Sequence, residues 1–200
     1  LLHLHTQFNE EIPYDTLDMG FININQSAHG DREFAYMLAR MKKEHKIVVG
    51  HWKSERVQKK IGDWMITAIG LVESNHLRVA RFADNMLNVA DTEGDKVEAQ
   101  LKFGWEVDTY TIVDAADAVN AVSQSDINIL TDEYGILLEG RDPQEFRRHV
   151  EEQARIEIGF ERFLEEKKYQ AVVTHFGQLG GLKQLPGLAM QRLMGKGYGF

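Results

Sequence analysis

The stretch Asn23-Ile24-Asn25-Gln26-Ser27-Ala28-His29-Gly30-Asp31-Arg32-Glu33-Phe34 gathers amide, hydroxyl and imidazole side chains just before an expected helix. Side chains of these types accept and donate hydrogen bonds without carrying a fixed charge, which suits a ligand rich in hydroxyls. Ser27 or Asn25 can cap the helix by accepting a free backbone N–H. That leaves Gln26 and His29, with Asn23, to read the hydroxyls of a polar ligand. Asn25-Gln26-Ser27 also fits the N-glycosylation pattern, but nothing else in the sequence suggests secretion.

Three further clusters follow expected strands or precede expected helices. In Arg81-Phe82-Ala83-Asp84-Asn85-Met86, Asp84 and Asn85 suit a turn out of a buried strand, and Met86 offers an adaptable apolar wall for a small ligand. Asp91-Thr92-Glu93-Gly94-Asp95-Lys96 lacks the ligand spacing and closing Glu of a calcium loop, so Thr92 or Asp91 is expected to cap the next helix. In His175-Phe176-Gly177-Gln178-Leu179-Gly180-Gly181 the glycines permit close backbone approach. Beyond them Pro186 starts a helix packed by Met190, Leu193 and Met194. His3 and His5 share one face of a strand and are a potential metal pair, but no third ligand lies nearby in sequence, which favours a core or strand-end role. No Walker, GxGxxG, nucleophile-elbow, HExxH or kinase pattern is present, so the residues alone supply no complete reaction centre.

The elements that must position these groups follow from apolar periodicity. Strands are expected at 1–6, 47–52, 77–82, 105–111 and 169–174, and helices at 27–44, 54–73, 95–103, 112–121, 126–138, 143–166 and 186–193. Alternation of this kind predicts an α/β fold of mostly parallel sheets flanked by helices, in Rossmann- or flavodoxin-like layers. Ser54 is the expected N-cap of the second helix, whose Val57, Ile61, Trp64, Met65 and Ala68 form a core-facing stripe. The helix must stop near Ser74-Asn75-His76, which places a domain boundary there, 1–74 against 75–200. Gly140-Arg141-Asp142-Pro143 marks a second break.

A chain of 200 residues, 43% hydrophobic and 27% charged, can bury a sizeable core. Its net charge of −8 argues against nucleic acid as a partner. Cysteine is absent, which excludes disulfides and thiolate metal sites, and no apolar run approaches the roughly 20 residues of a membrane span. A cytoplasmic location is expected. The opening LLHLHTQFN reads as a strand, which suggests a fragment of a longer protein.

Read as whole strings, LHTQFN (4–9), DMGFININQSAHGDREF (18–34), VVGHW (48–52), RFADNM (81–86), EGDKVEAQLKFGW (93–105) and GLKQLPGLAMQRLMGKGYGF (181–200) closely resemble bacterial L-arabinose isomerases, in order and spacing, across the whole chain. The resemblance implies about the middle two-fifths of such an enzyme, the later part of its N-terminal domain plus its central domain. It assigns substrate contacts to Gln26, His29, Met86 and Phe176, in a pocket completed by a neighbouring subunit of a homo-oligomer, a hexamer or tetramer in the family. The implied activity is aldose–ketose isomerisation of L-arabinose to L-ribulose, and of D-galactose to D-tagatose in relatives. It also implies Mn²⁺ held by two Glu and two His, with a carboxylate moving the proton through an ene-diol. The first of those Glu belongs to a run that begins Gly-Tyr-Gly-Phe, where this chain ends, so catalytic and metal residues are expected outside it. Where the family reads T-T-T-F-E-D-L, this chain has Val173-Thr174-His175-Phe176-Gly177-Gln178-Leu179, which leaves the preferred sugar, fucose included, open. A non-catalytic sugar-binding module is the alternative. It would be expected to carry stacking Trp residues at its cleft, whereas Trp52, Trp64 and Trp105 read as strand or helix core positions.

Overall fold

A computed structural model describes residues 1–135 and 142–200, which fall into two compact units, Leu1–Val72 and Glu73–Phe200. The first contains β1 (Leu2–His5), α1 (Met19–Ile24), α2 (Ser27–Arg40), β2 (Lys46–Val49) and most of α3 (Glu55–Ser74). The second contains β3 (Arg78–Phe82), α4 (Lys96–Phe103), β4 (Glu106–Tyr110), α5 (Ile112–Asn120), α6 (Gln124–Glu133), α7 (Pro143–Lys167), β5 (Ala171–Val173) and α8 (Gly187–Gly195). The protein is α/β, and among the described residues every strand pair is parallel: β1 with β2, and β3 with both β4 and β5. Residues 136–141 lie outside the described residues, and with them the expected end of the 126–138 helix and Gly140-Arg141 of the expected break.

Unit 2 has the larger core. Phe82, from the central strand β3, meets Phe160 of α7 edge-on at 5.3 Å and Phe163 at 5.0 Å, and Leu164, Val172, Met190 and Leu193 complete the packing. Met194, expected to pack with them, is half exposed, one residue past the buried stripe of α8. Gly159 lets α7 approach α5 closely, since a Cβ there would lie 2.6 Å from the Val119 Cα. Glu157, fully buried on α7, is tied to Arg192 Nε at 2.7 Å and Lys196 Nζ at 3.0 Å, and Tyr134 donates to it at 2.8 Å. A buried carboxylate is tolerable only with such partners.

Unit 1 buries less. On α3 the expected core stripe is buried only at Val57, while Met65 is 53% exposed, as are the neighbouring Ile66, Ile69, Leu71 and Val72 to similar or greater degree. The physical reason is length. A helix of 20 residues runs about 30 Å, whereas strands of four residues span about 13 Å, so a two-stranded sheet covers only part of it. Trp52 also departs from its expected core position: it follows β2, is half exposed, and carries Lys53 Nζ 4.9 Å above its ring.

The helix starts correct two capping expectations. Neither Asn25 nor Ser27 caps α2, which begins without a side-chain cap. At α4 the cap is Asp95, accepting from the N–H groups of Val97 and Glu98 at 2.9 Å each, while Thr92 donates to the Val89 carbonyl in a short 3-10 turn. Asp95→Ala is therefore expected to lower stability by about 1 kcal/mol and Asp91→Ala to leave it nearly unchanged, as read by urea denaturation. Equal effects would show that the wrong residue has been given the capping role.

Candidate substrate-binding site

The strand order β4-β3-β5 makes β3 the point at which the chain reverses direction across the sheet, since β4 is added on one side and β5 on the other. In open parallel sheets, ligands settle at the carboxyl ends of the strands at such a reversal. Arg81 on β3 stands opposite Val173 on β5, so Asp84–Met86 and His175–Phe176 leave adjacent strands at the same edge. Ala83, at the exit of β3, has φ +70, a left-handed conformation that a residue with a Cβ rarely adopts. It turns the chain sharply after the strand while its N–H donates to the Tyr110 carbonyl at 2.9 Å. Arg81 Nη2 then donates to Asp84 Oδ1 at 2.6 Å and Asn85 Oδ1 at 2.5 Å, and Asn85 donates to Glu93 Oε2 at 2.7 Å. The Asn85 N–H, then the Arg81 guanidinium, hold the Asp84 carboxyl below its ordinary range. These bonds fix the loop that carries Met86, which is half-buried.

On the β5 side, Phe176 is 64% exposed and its ring lies near-parallel to that of His175, with centroids 5.9 Å apart. His175 Nδ1 accepts from the Gly177 N–H at 3.0 Å, which makes Nε2 the protonated nitrogen, and Nε2 is buried without a protein partner. The glycines of this loop make their closest approach to protein: a Cβ on Gly180, at φ +54, would meet Ile112 Cγ2 at 2.2 Å.

In unit 1 the polar turn has a different internal logic from the one expected. Asn25 accepts from the Asn9 N–H at 2.9 Å and donates to Asn9 Oδ1 at 3.0 Å, while the Ser27 hydroxyl donates to the Thr6 carbonyl. Both residues anchor the turn to the segment leaving β1. Asn23 lies in the last turn of α1 and accepts from Gln26 Nε2 at 2.9 Å. Gln26 and His29 are exposed. Beside them, at the carboxyl ends of β1 and β2, opens a cavity of about 470 Å³ whose lining includes His5, Gln7, Asn9, Asp31, Arg32 and His51, though neither Gln26 nor His29. His5 was expected only as a potential metal ligand or strand-end residue, and the other lining residues were missed by sequence reasoning. For Gln7, Asn9 and His51 the available signal was their position just after a strand, in LHTQFN and VVGHW, whereas Asp31 and Arg32 lie on α2.

The L-arabinose isomerase N-terminal domain model matches residues 1–76, and the model of the central domain of the same enzymes matches residues 78–200. The chain belongs to the L-arabinose isomerase family. It is 54% identical to L-arabinose isomerase of Shouchella clausii, 53% identical to L-arabinose isomerase 1 of Clostridium acetobutylicum and 52% identical to L-arabinose isomerase of Geobacillus thermodenitrificans. Each alignment covers 100% of this chain and 41–42% of the relative, so the chain spans about two-fifths of the length of the curated relatives it matches. Gln26 and His29 fall in the N-terminal domain of the family, Met86 and Phe176 in its central domain. No helix among the described residues is long and apolar enough to cross a membrane.

Proposed function

We propose that this chain is the substrate-binding portion of a cytoplasmic, homo-oligomeric aldose–ketose isomerase that converts L-arabinose to L-ribulose. What supports the reading is the match over the full chain to relatives of that name, in both domains. The central domain contributes the apolar wall: Met86 and Phe176, on loops leaving adjacent strands, present thioether and ring to the C–H face of a sugar. The N-terminal domain contributes Gln26, the exposed N-cap residue of α2 that donates to Asn23, and His29, exposed in the first turn, to hydroxyls in a pocket that a second subunit closes. Apolar contacts and directed polar groups of these kinds bind and orient a pentose without supplying acid or base.

The Mn²⁺ of the family calls for two glutamates and two histidines. Among the described residues the one cluster of three His, Asp or Glu donors is His3, His5 and Asp31, which contains no glutamate and does not fit that set. The contribution of this chain to the reaction is accordingly binding and orientation of the sugar. His175, where the family pattern has a different run, lies beside the Phe176 wall, and this favours testing further sugars. The experiment is expression of the complete reading frame and measurement of ketose formation from L-arabinose, D-galactose and L-fucose with Mn²⁺ supplied. L-Ribulose as the main product is expected. Ketose from none of the three, or from fucose alone, rejects the proposal.

A further inference from the structure

His3 and His5 are two residues apart on β1, so their side chains leave one face of the strand. The third ligand absent from their neighbourhood in sequence arrives from α2. Asp31 Oδ1 lies 3.0 Å from His3 Nε2, 28 residues along the chain. His5 Nε2 lies 3.2 Å from His3 Nδ1, with the two rings inclined at 61°. One donor atom from each of the three residues can be chosen so that all lie within 4.8 Å of one another.

The His3 Nδ1–His5 Nε2 separation is that of a chelating pair, while Asp31 meets the opposite nitrogen of His3 and reaches a shared ion by turning its side chain. Nitrogens bound at about 2.0–2.1 Å to a tetrahedral ion stand about 3.3–3.4 Å apart, so the two imidazoles already hold the spacing of a shared cation. His3 is 6% exposed, with its ring edge-on to Phe34 at 4.9 Å, so the ligand is rigidly held and part of the site is desolvated. Asp31 supplies the negative charge, and its side chain is only 20% exposed. His5 and Asp31 line the cavity at the exit of β1, which leaves room for water or a small anion in the remaining coordination positions. An open position of this kind separates a reactive or exchangeable site from a closed structural one.

We infer that His3, His5 and Asp31 bind one first-row divalent cation of the Zn²⁺, Co²⁺ or Ni²⁺ type. Two imidazoles with one carboxylate suit these ions, whereas Mg²⁺ and Ca²⁺ prefer oxygen-only shells. An imidazole coordinates through a lone pair, so the hydrogen bond between His5 Nε2 and His3 Nδ1 must be given up for both nitrogens to meet one ion. The ligand set differs from the two glutamates and two histidines implied by the family resemblance, and the site sits in the N-terminal domain.

The test compares the protein expressed from its full reading frame with its His5→Gln and Asp31→Asn variants. Each is stripped with a chelator, titrated with Zn²⁺ against a chromophoric competitor, and then titrated with Co²⁺ to read the visible ligand-field bands. The wild type is expected to bind one equivalent more than either variant, with affinity for that equivalent falling roughly a hundredfold or more on loss of a ligand. An imidazole-type Co²⁺ spectrum should disappear with it. Far-UV circular dichroism checks folding, and Asp31→Asn, nearly isosteric, keeps the test decisive should His5→Gln not fold. Equal stoichiometry and equal affinity in the wild type and Asp31→Asn would overturn the inference and leave the three residues as a hydrogen-bonded relay.

Discussion

Gly159→Ala is expected to destabilise the protein by about 1–2 kcal/mol, against the preference of helices for alanine. In α7 the added methyl would stand 2.6 Å from the Val119 Cα and 2.9 Å from the Val119 nitrogen. Backbone atoms of α5 cannot rotate out of the way as a flexible side-chain tip can, so the two helices must move apart. That separation loosens the layer of Ala115, Ala116, Ile156 and Phe160 between them and the sheet. Overpacking of this kind costs typically 1–3 kcal/mol and occasionally more, while the propensity gain of alanine over glycine returns only about 1 kcal/mol. Gly62, on α3, has nothing within 4 Å of a Cβ, so Gly62→Ala should express the propensity gain alone and stabilise by up to about 1 kcal/mol. Urea denaturation of both variants decides the matter. If they shift the midpoint in the same direction, the close contact of α5 with α7 is wrong.

The periodic elements were legible because their side chains carry the period themselves. Strands such as Arg78–Phe82 and helices such as Ile112–Asn120 fall within a residue or two of expectation. Helix α1 was not anticipated, since Met19–Ile24 is only six residues long and buries no residue, so no stripe marks it. Caps were misplaced for a related reason. Several side chains near each helix start are chemically able to cap, and the choice depends on which of them the loop geometry aims at the free N–H groups. Asn25 and Ser27 were drawn off by Asn9 and Thr6, partners supplied by the segment after β1. For the site, the types of residue were readable and their neighbours were not. The loops that carry Met86 and Phe176 leave adjacent strands only through the order β4-β3-β5, and Asp31 reaches His3 only through the packing of α2 on β1. Sequence spacing carries the first kind of information, and topology the second.

His29→Ala is expected to lower kcat/KM of the full-length isomerase about tenfold to a hundredfold for every sugar it accepts, whereas Met86→Ala should mainly change the ratio between sugars. The two residues differ in what they offer a ligand. His29, exposed at the first turn of α2, presents an imidazole with a directed donor and acceptor. In the proposed pocket, a sugar hydroxyl left without that partner costs about 1–3 kcal/mol, and 1.4 kcal/mol is a factor of ten. Every aldose of this class carries hydroxyls, so the loss should be general. Met86 is half-buried beside a loop pinned by Arg81, and offers only contact area. An apolar wall discriminates by about 1–3 kcal/mol per group and tolerates a longer substrate when it is cut back. Met86→Ala should therefore raise D-galactose relative to L-arabinose while leaving the summed activity within a few-fold of the parent. Gln26→Ala should resemble His29→Ala in direction, and more weakly, because Gln26 keeps part of its bonding with Asn23. Steady-state kinetics on both sugars check all three variants. Parental constants for His29→Ala and Met86→Ala on both sugars would remove these residues from the substrate, and a uniform loss in Met86→Ala would mean that the β3 exit loop orients the sugar by more than its apolar surface.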